Sequence, residues 1–218
     1  QTLLGGQALL SGFETGLIEF LEAHPQRSFV ELEPRGAWDE AGLRLLLEGL
    51  SNSGVVVSVE GGYRLSDEFS EVLPFRDLMR AKLQFAQWVT SDCATHFTAL
   101  LTQPEAYFAR SALFELFDYS RCLDFTPDNV VHTRRWVELT TTLTRYEAPE
   151  CLARFDCRRY RRVLDVGGNS GEFVRQMCVR NPTLSATVLD LPVVCELGRE
   201  YVDLGDEGDR IEFVDADQ

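Results

Sequence analysis

Val163-Leu164-Asp165-Val166-Gly167-Gly168-Asn169-Ser170-Gly171-Glu172-Phe173 decides how the rest of this chain is read. An apolar run meets a carboxylate, then three glycines within five positions, then a pattern that can begin a helix. This reads as a buried parallel strand turning sharply into a helix. Glycine accepts positive φ at such a turn and lets a ligand approach the backbone. Working outward, Phe173, Val174 and Met177 continue the helix up to Asn181-Pro182. Ala186 to Leu189 is a second short strand, ending at Asp190. Leu191-Pro192 opens a helix carrying Val194, Leu197 and Tyr201, and Ile211 to Val214 is a third strand. The order β-α-β-α-β is half of a doubly wound sheet, whose ligands bind beyond the carboxyl ends of the strands.

Those ends carry Asp165 with the glycines, then Asp190, then Asp217. The dinucleotide fingerprint G-x-G-x-x-G is absent, since the pattern is D-x-G-G-x-x-G, and no Gly-Lys-Ser/Thr of a P-loop follows. A carboxylate after the second strand suits the two hydroxyls of a ribose, and one after the third suits an exocyclic amine such as that of adenine. A nucleoside without a pyrophosphate fits, with the glycine turn against a small zwitterionic tail.

Upstream, residues 3–23 have helical spacing through Leu10, Phe13, Leu17, Phe20 and Leu21. Ser28 to Leu32 reads as a short strand. Trp38-Asp39-Glu40 starts a helix with Leu43, Leu46, Leu47 and Leu50 on one face. Val55 to Leu65 reads as a hairpin turning at Gly61-Gly62. This is a winged-helix pattern over residues 1–73. That stretch holds four Arg, no Lys and twelve acidic residues, so a DNA-reading role would set it against its own target. A structural or dimerising module is the better reading.

Residues 74–157 read as a helical linking region. Leu78 to Val89 is a helix apolar on more than one side, and it continues through Phe97 to Pro104. An aromatic stretch from Tyr107 to Tyr119 is read either as core or as a pocket wall. Thr126-Pro127-Asp128 starts a helix with Trp136, Leu139, Leu143 and Tyr146 on one side, stopped by Pro149; a second short helix near Cys151 to Phe155 follows. The basic run Arg158 to Arg162 reads as a solvated face. His96 and His132 have no partner arranged for catalysis.

The 218 residues are 44% apolar and 26% charged, with net charge −14. That composition is globular, and the charge disfavours nucleic acid and anionic membrane surfaces. No apolar run spans a bilayer. Six cysteines without a C-x-x-C pair, and no histidine at ligand spacing, argue against a zinc site and fit reduced thiols in a cytoplasm.

Val163 to Phe173, Asp190-Leu191-Pro192 and Arg210 to Asp217 together resemble the S-adenosylmethionine-dependent O-methyltransferases of the small-molecule type found in plants and bacteria. The 25-residue spacing from Asp165 to Asp190 is similar to that family's, as is the order of parts along the chain. The resemblance implies a Rossmann-like α/β methyltransferase domain, of which residues 158–218 are the first half, preceded by a mainly α winged-helix dimerisation domain. It implies S-adenosylmethionine as cofactor, with Asp165 among the residues that bind it, Gly167, Gly168 and Gly171 shaping the loop around the methionine moiety, Asp190 on the ribose and Asp217 near the adenine. Gln218 stands where the family has an apolar residue. Trp136 and Leu139 are candidate substrate-lining residues. The family's catalytic histidine would lie beyond Gln218, so no catalytic residue is assigned and the sequence is expected to be a fragment, its first strand left with an unpaired edge. The implied activity is methyl transfer to a hydroxyl of an aromatic or polyketide-like metabolite, by a homodimer. The alternatives are a cofactor-binding pseudoenzyme or assembly partner without turnover, and the DNA-binding regulator that the charge opposes.

Overall fold

The computed structural model describes residues 2–33, 39–203 and 205–215. The chain divides into two compact units, Gln1–Ser91 and Asp92–Gln218.

The first unit begins with two helices, α1 (Thr2–Glu14) and α2 (Leu17–Ala23), where the periodicity predicted one. Gly16 separates them at φ +73, and its N–H bonds to the Phe13 carbonyl. The apolar spacing survives the break because both helices bury their leucines in the same core. The expected strand at Ser28 to Leu32 is instead a single helical turn, α3 (Phe29–Leu32). Ser28 and Glu31 form a capping box: the Ser28 N–H and hydroxyl donate to Glu31 Oε2 at 2.9 and 2.7 Å. The signature Ser-x-x-Glu outweighs the β-branched content of so short a run. Helix α4 (Glu40–Asn52) starts as foreseen, with the Asp39 carboxylate accepting from Gly42 N–H at 2.7 Å; Trp38 lies outside the described residues. Strands β1 (Val56–Val59) and β2 (Gly62–Leu65) form the antiparallel hairpin, Val56 opposite Leu65. Helix α5 (Asp67–Val72) is capped by the Ser66 hydroxyl. Phe13, Ile18, Leu21, Leu32, Leu43, Leu47, Leu50, Val56 and Phe69 make one core.

Helix α6 (Arg76–Thr102) departs from helical dihedrals at His96. In the second unit, α7 (Pro104–Phe108), α8 (Ala112–Leu116) and a 3-10 turn, Tyr119–Cys122, hold the aromatic stretch. Its rings divide between the two readings. Tyr107 is buried, whereas Phe108, Phe114 and Tyr119 are exposed. Helix α9 (Pro127–Arg154) opens with the Thr126 hydroxyl accepting from Asn129 N–H at 3.2 Å, and it does not stop at Pro149. A proline inside a helix orphans the carbonyl four residues earlier. Here that carbonyl, on Arg145, accepts from the Gln176 side-chain amide at 3.0 Å. The helix therefore passes through the proline, and the separate helix expected near Cys151 is its last turn. The basic run is solvated: Arg158 and Arg159 are exposed and share Asp156.

Strands β3 (Arg162–Val166), β4 (Ser185–Asp190) and β5 (Ile211–Asp215) form a parallel sheet in that order, joined by α10 (Glu172–Arg180) and α11 (Pro192–Val202). Helix α9 packs against both crossover helices. The core runs through Val174, Met177, Leu184, Val188, Cys195 and Phe213. Strand β3 is not the buried strand that its composition predicts. Among the described residues it pairs only with β4, and Leu164 and Val166 are 61% and 71% exposed. Its alternate residues Val163 and Asp165 are the half-buried ones.

Gly198 on α11 lies close against Phe213 of β5. A Cβ there would stand 2.7 Å from Phe213 Cζ and 3.1 Å from the Asn169 carbonyl. Neither an aromatic ring in a packed core nor the backbone of a tight turn gives way easily. Gly198→Ala is expected to cost about 1–3 kcal/mol by overpacking, read as a lower urea midpoint.

Candidate functional site

The site is built where β3 and β4 end. The Gly167 N–H bonds to the Leu189 carbonyl at 2.8 Å, pinning the turn to β4. Gly167 has φ +70, and a Cβ there would meet nothing within 4 Å. Its backbone faces open space, which a ligand can approach. Gly168 has a different reason to be glycine. A Cβ would fall 2.8 Å from the Asp165 carboxyl and 2.9 Å from Val188. Gly171, at φ +75, is the N-cap of α10.

Asp190 does more than end β4. Its carboxylate accepts the Asn169 N–H and the Leu191 N–H, each at 2.8 Å. The acid thus fastens the glycine turn to the strand and fixes its own rotamer, an arrangement that can accept further hydrogen bonds. Burial pushes the Asp165 carboxyl above its ordinary range, and the nearby Asp190 charge adds to the rise. Asp215 sits opposite Asp190 in register. Burial pushes the Cys195 thiol beside it up to about 12. Asp217, expected near an adenine, lies outside the described residues, as does Gln218.

Helix α9 supplies the other wall. Asn169, itself at φ +55, donates its amide to the Thr140 hydroxyl. The Thr141 and Ser170 hydroxyls hydrogen-bond each other at 2.7 Å, both residues being buried. Trp136, one turn before Thr140, packs on Phe117 and Tyr119. Leu139 is buried on the same helix as an ordinary apolar side chain. The Tyr119–Cys122 turn lies against α9 and α11, close enough that the Asp190 charge raises the Cys122 thiol further above what burial does. His132 is buried and its Nε2 lies 3.1 Å from the Leu116 carbonyl, a structural bond. The reading of the sequence missed Thr140, Thr141, Asn169 and Ser170. The visible signal was the run Thr140-Thr141-Thr142, three hydroxyls in the middle of a helix; each bonds a carbonyl of its own helix, and Thr140 and Thr141 also meet polar groups of the turn.

A buried carboxyl whose proton affinity is raised by burial and by a second carboxylate beside it marks a place that welcomes a cation and repels an anion. A pyrophosphate is poorly served here, whereas a sulfonium or ammonium group would be held. The open backbone at Gly167, the fixed Asp190 acceptors and this charge fit S-adenosylmethionine. Among the described residues, no group of His, Cys, Asp and Glu could hold a metal, and no helix is long and apolar enough to cross a membrane.

Raised proton affinity has a sign. Between the ordinary carboxylate range and Asp165's higher folded value, the folded protein holds a proton that the unfolded chain has released. Stability from this group is therefore lost as pH rises through that window. Asp165→Asn is expected to raise the melting temperature at pH 7 by about 2–4 °C, the size of a ~1 kcal/mol gain in a chain of this length, while weakening binding of a cationic ligand. A melting series from pH 4 to 8 checks the first and titration calorimetry the second.

The fold is that of the S-adenosylmethionine-dependent methyltransferases. The structure superposes on mitomycin 7-O-methyltransferase with TM-score 0.76 at 20% identity, over 97% of this chain and 61% of that one. It superposes on human N-acetylserotonin methyltransferase, solved in complex with S-adenosylmethionine, with TM-score 0.71 at 17% identity, over 98% and 62%. Within that class, residues 119–218 match the family model of the O-methyltransferase domain, and the resemblance to the small-molecule O-methyltransferases holds. Among curated proteins, 3-hydroxy-5-methyl-1-naphthoate 3-O-methyltransferase of Streptomyces sahachiroi is 37% identical over 76 residues, 35% of this chain and 22% of that protein. Acetylserotonin O-methyltransferase of Rattus norvegicus is 23% identical over 199 residues, 89% of this chain and 45% of that protein. The chain thus spans less than half the length of these two curated relatives and about three fifths of these two solved structures.

Proposed function

We propose that this protein transfers the methyl group of S-adenosylmethionine to a hydroxyl of a small aromatic or polyketide-like metabolite. The observation that carries the reading is the acid-lined glycine turn, with Asp190 tied to Asn169 and Asp165 beside it. S-adenosylmethionine, when bound, supplies an electrophilic methyl on a positively charged sulfur. Asp190 would accept the ribose hydroxyls, and the backbone at Gly167 and Gly168 would border the methionine tail. The charge of Asp165 favours the cationic cofactor over its neutral-sulfur product, which helps release. The acceptor oxygen would form the new C–O bond in line as the S–C bond breaks, the S–C electron pair staying on sulfur and the hydroxyl proton passing to solvent water; the chain's part is alignment. The relatives named above act on a naphthoate and on acetylserotonin, flat aromatic molecules, and Phe117, Tyr119 and Trp136 offer a wall of matching chemistry.

We also assign residues 1–73 to a winged-helix dimerisation module, 74–157 to a linking and substrate-lining region and 158–218 to cofactor binding. Titration calorimetry with S-adenosylmethionine and S-adenosylhomocysteine tests the central reading. Saturable 1:1 binding of both is expected, and no heat with either sinks it. Sedimentation equilibrium tests the dimer.

A further inference from the structure

Trp136 sits in α9 with 6% of its surface exposed, edge-on to Tyr119 at 5.5 Å between ring centroids and 6.4 Å from Phe117. Its indole Nε1–H is buried and has no hydrogen-bond partner among the described residues. An indole nitrogen only donates, and a buried tryptophan normally finds an acceptor. Leaving such a donor unpaired costs about 1–3 kcal/mol. A Phe in its place would fill the same aromatic wall without that penalty. One turn along the same helix, Thr140 holds the Asn169 amide, and Asn169 Oδ1 is also buried without a partner. The orphan donor thus stands one helical turn before the α9 residue that holds the glycine turn, and the orphan acceptor stands on the turn itself. Buried polar groups left unpaired in this way call for an explanation, and a water, an ion or a ligand that completes the bonding is one.

We propose that the Trp136 Nε1–H is a binding donor for a carboxylate of a ligand held beside the glycine turn. This rests on the cofactor reading above. The carboxylate could belong to the amino-acid tail of the cofactor or to an acid group on the methyl acceptor. A hydrogen bond to a charged acceptor gives the same advantage in either case, about tenfold in affinity. Asn169 Oδ1 adds an acceptor nearby that suits the ammonium of an amino-acid tail.

The test compares the wild-type chain with Trp136→Phe, which keeps the ring and loses the donor. S-adenosylhomocysteine is paired with 5′-methylthioadenosine, which lacks the amino-acid tail; 3-hydroxy-1-naphthoate is paired with 2-naphthol. If the cofactor tail is the partner, Trp136→Phe binds S-adenosylhomocysteine about tenfold more weakly and 5′-methylthioadenosine unchanged. If the acceptor's acid group is the partner, the loss appears with hydroxynaphthoate and not with naphthol. Equal affinities of the two proteins in both pairs overturn the proposal. A second measurement needs no variant at this position. The chain has three tryptophans, so Trp38→Phe and Trp88→Phe assign the Trp136 indole N–H signal by elimination. That signal should shift when the carboxylate ligand binds, and a signal unmoved at saturation also overturns the proposal. Wild-type protein that binds neither S-adenosylhomocysteine nor 5′-methylthioadenosine instead defeats the cofactor reading itself.

Discussion

Glu172→Ala is expected to lower the stability of the second unit by about 3–5 kcal/mol, the largest folding effect of any single change considered for this chain. Glu172 follows the glycine turn directly, and its side chain is fully buried. Three groups donate to its carboxylate: Arg175 Nε at 2.7 Å, the Gln176 amide at 2.7 Å and the Tyr201 hydroxyl at 2.9 Å. Burial alone would raise its pKa. The three donors and the Arg175 charge outweigh burial, so the carboxyl is held below its ordinary range. Truncation leaves a part-buried Arg175 with Glu207 at 3.4 Å, takes the acceptor from the Tyr201 hydroxyl, and leaves the Gln176 amide with the Arg145 carbonyl. Urea denaturation followed by far-UV circular dichroism reads the loss. The pH dependence runs opposite to that of Asp165. A depressed carboxylate contributes stability that is present above its unfolded pKa and lost as pH falls through the folded one, so the gap between wild type and Glu172→Ala should close in acid. Replacing the pair together, Glu172→Leu with Arg175→Met, should recover most of the loss. A single variant as stable as wild type would contradict the account.

The glycine turn was legible in the sequence because three independent constraints fall within eleven residues. Gly167 needs positive φ, Gly168 has no room for a Cβ, and Gly171 caps a helix. The positive φ of Gly167 and Gly171 demands glycine locally, and at Gly168 the Asp165 carboxyl three residues back adds a local constraint to that of Val188. The hairpin and the starts of α4 and α9 were legible for the same reason, since turn and cap residues act over three or four positions. What failed depended on distant partners. Pro149 reads as a helix stop unless one knows that Gln176 satisfies Arg145. Leu164 and Val166 read as buried unless one knows which strands flank β3. Ser28 to Leu32 was misread for a local reason, because the capping box was visible and the apolar residues were weighed more heavily. The Thr140–Asn169 and Thr141–Ser170 bonds join residues 29 apart. No periodicity announces such a pair, although hydroxyls on a helix face ask for one.

Asp190→Ala is expected to weaken S-adenosylhomocysteine binding by roughly 100-fold, the largest effect on affinity, because the acid has two tasks. As a ligand group it would accept the ribose hydroxyls, and hydrogen bonds to a charged acceptor are each worth about 1.5–3 kcal/mol. As a structural group it holds the N–H of Asn169 and of Leu191. Without it the glycine turn loses the tie that sets where Gly167 faces the ligand. Asp190→Asn should not rescue binding. Both carboxylate oxygens already accept from backbone N–H groups, and the amide nitrogen of asparagine would meet one of them donor to donor. The two tasks separate with a shorter ligand pair. Wild type should prefer adenosine over 2′,3′-dideoxyadenosine, which lacks the ribose diol. If Asp190 reads the diol, that preference vanishes in Asp190→Ala. If it acts only by holding the turn, both nucleosides weaken together and the preference survives, and the ribose assignment would have to be given up while the turn-anchoring role stood.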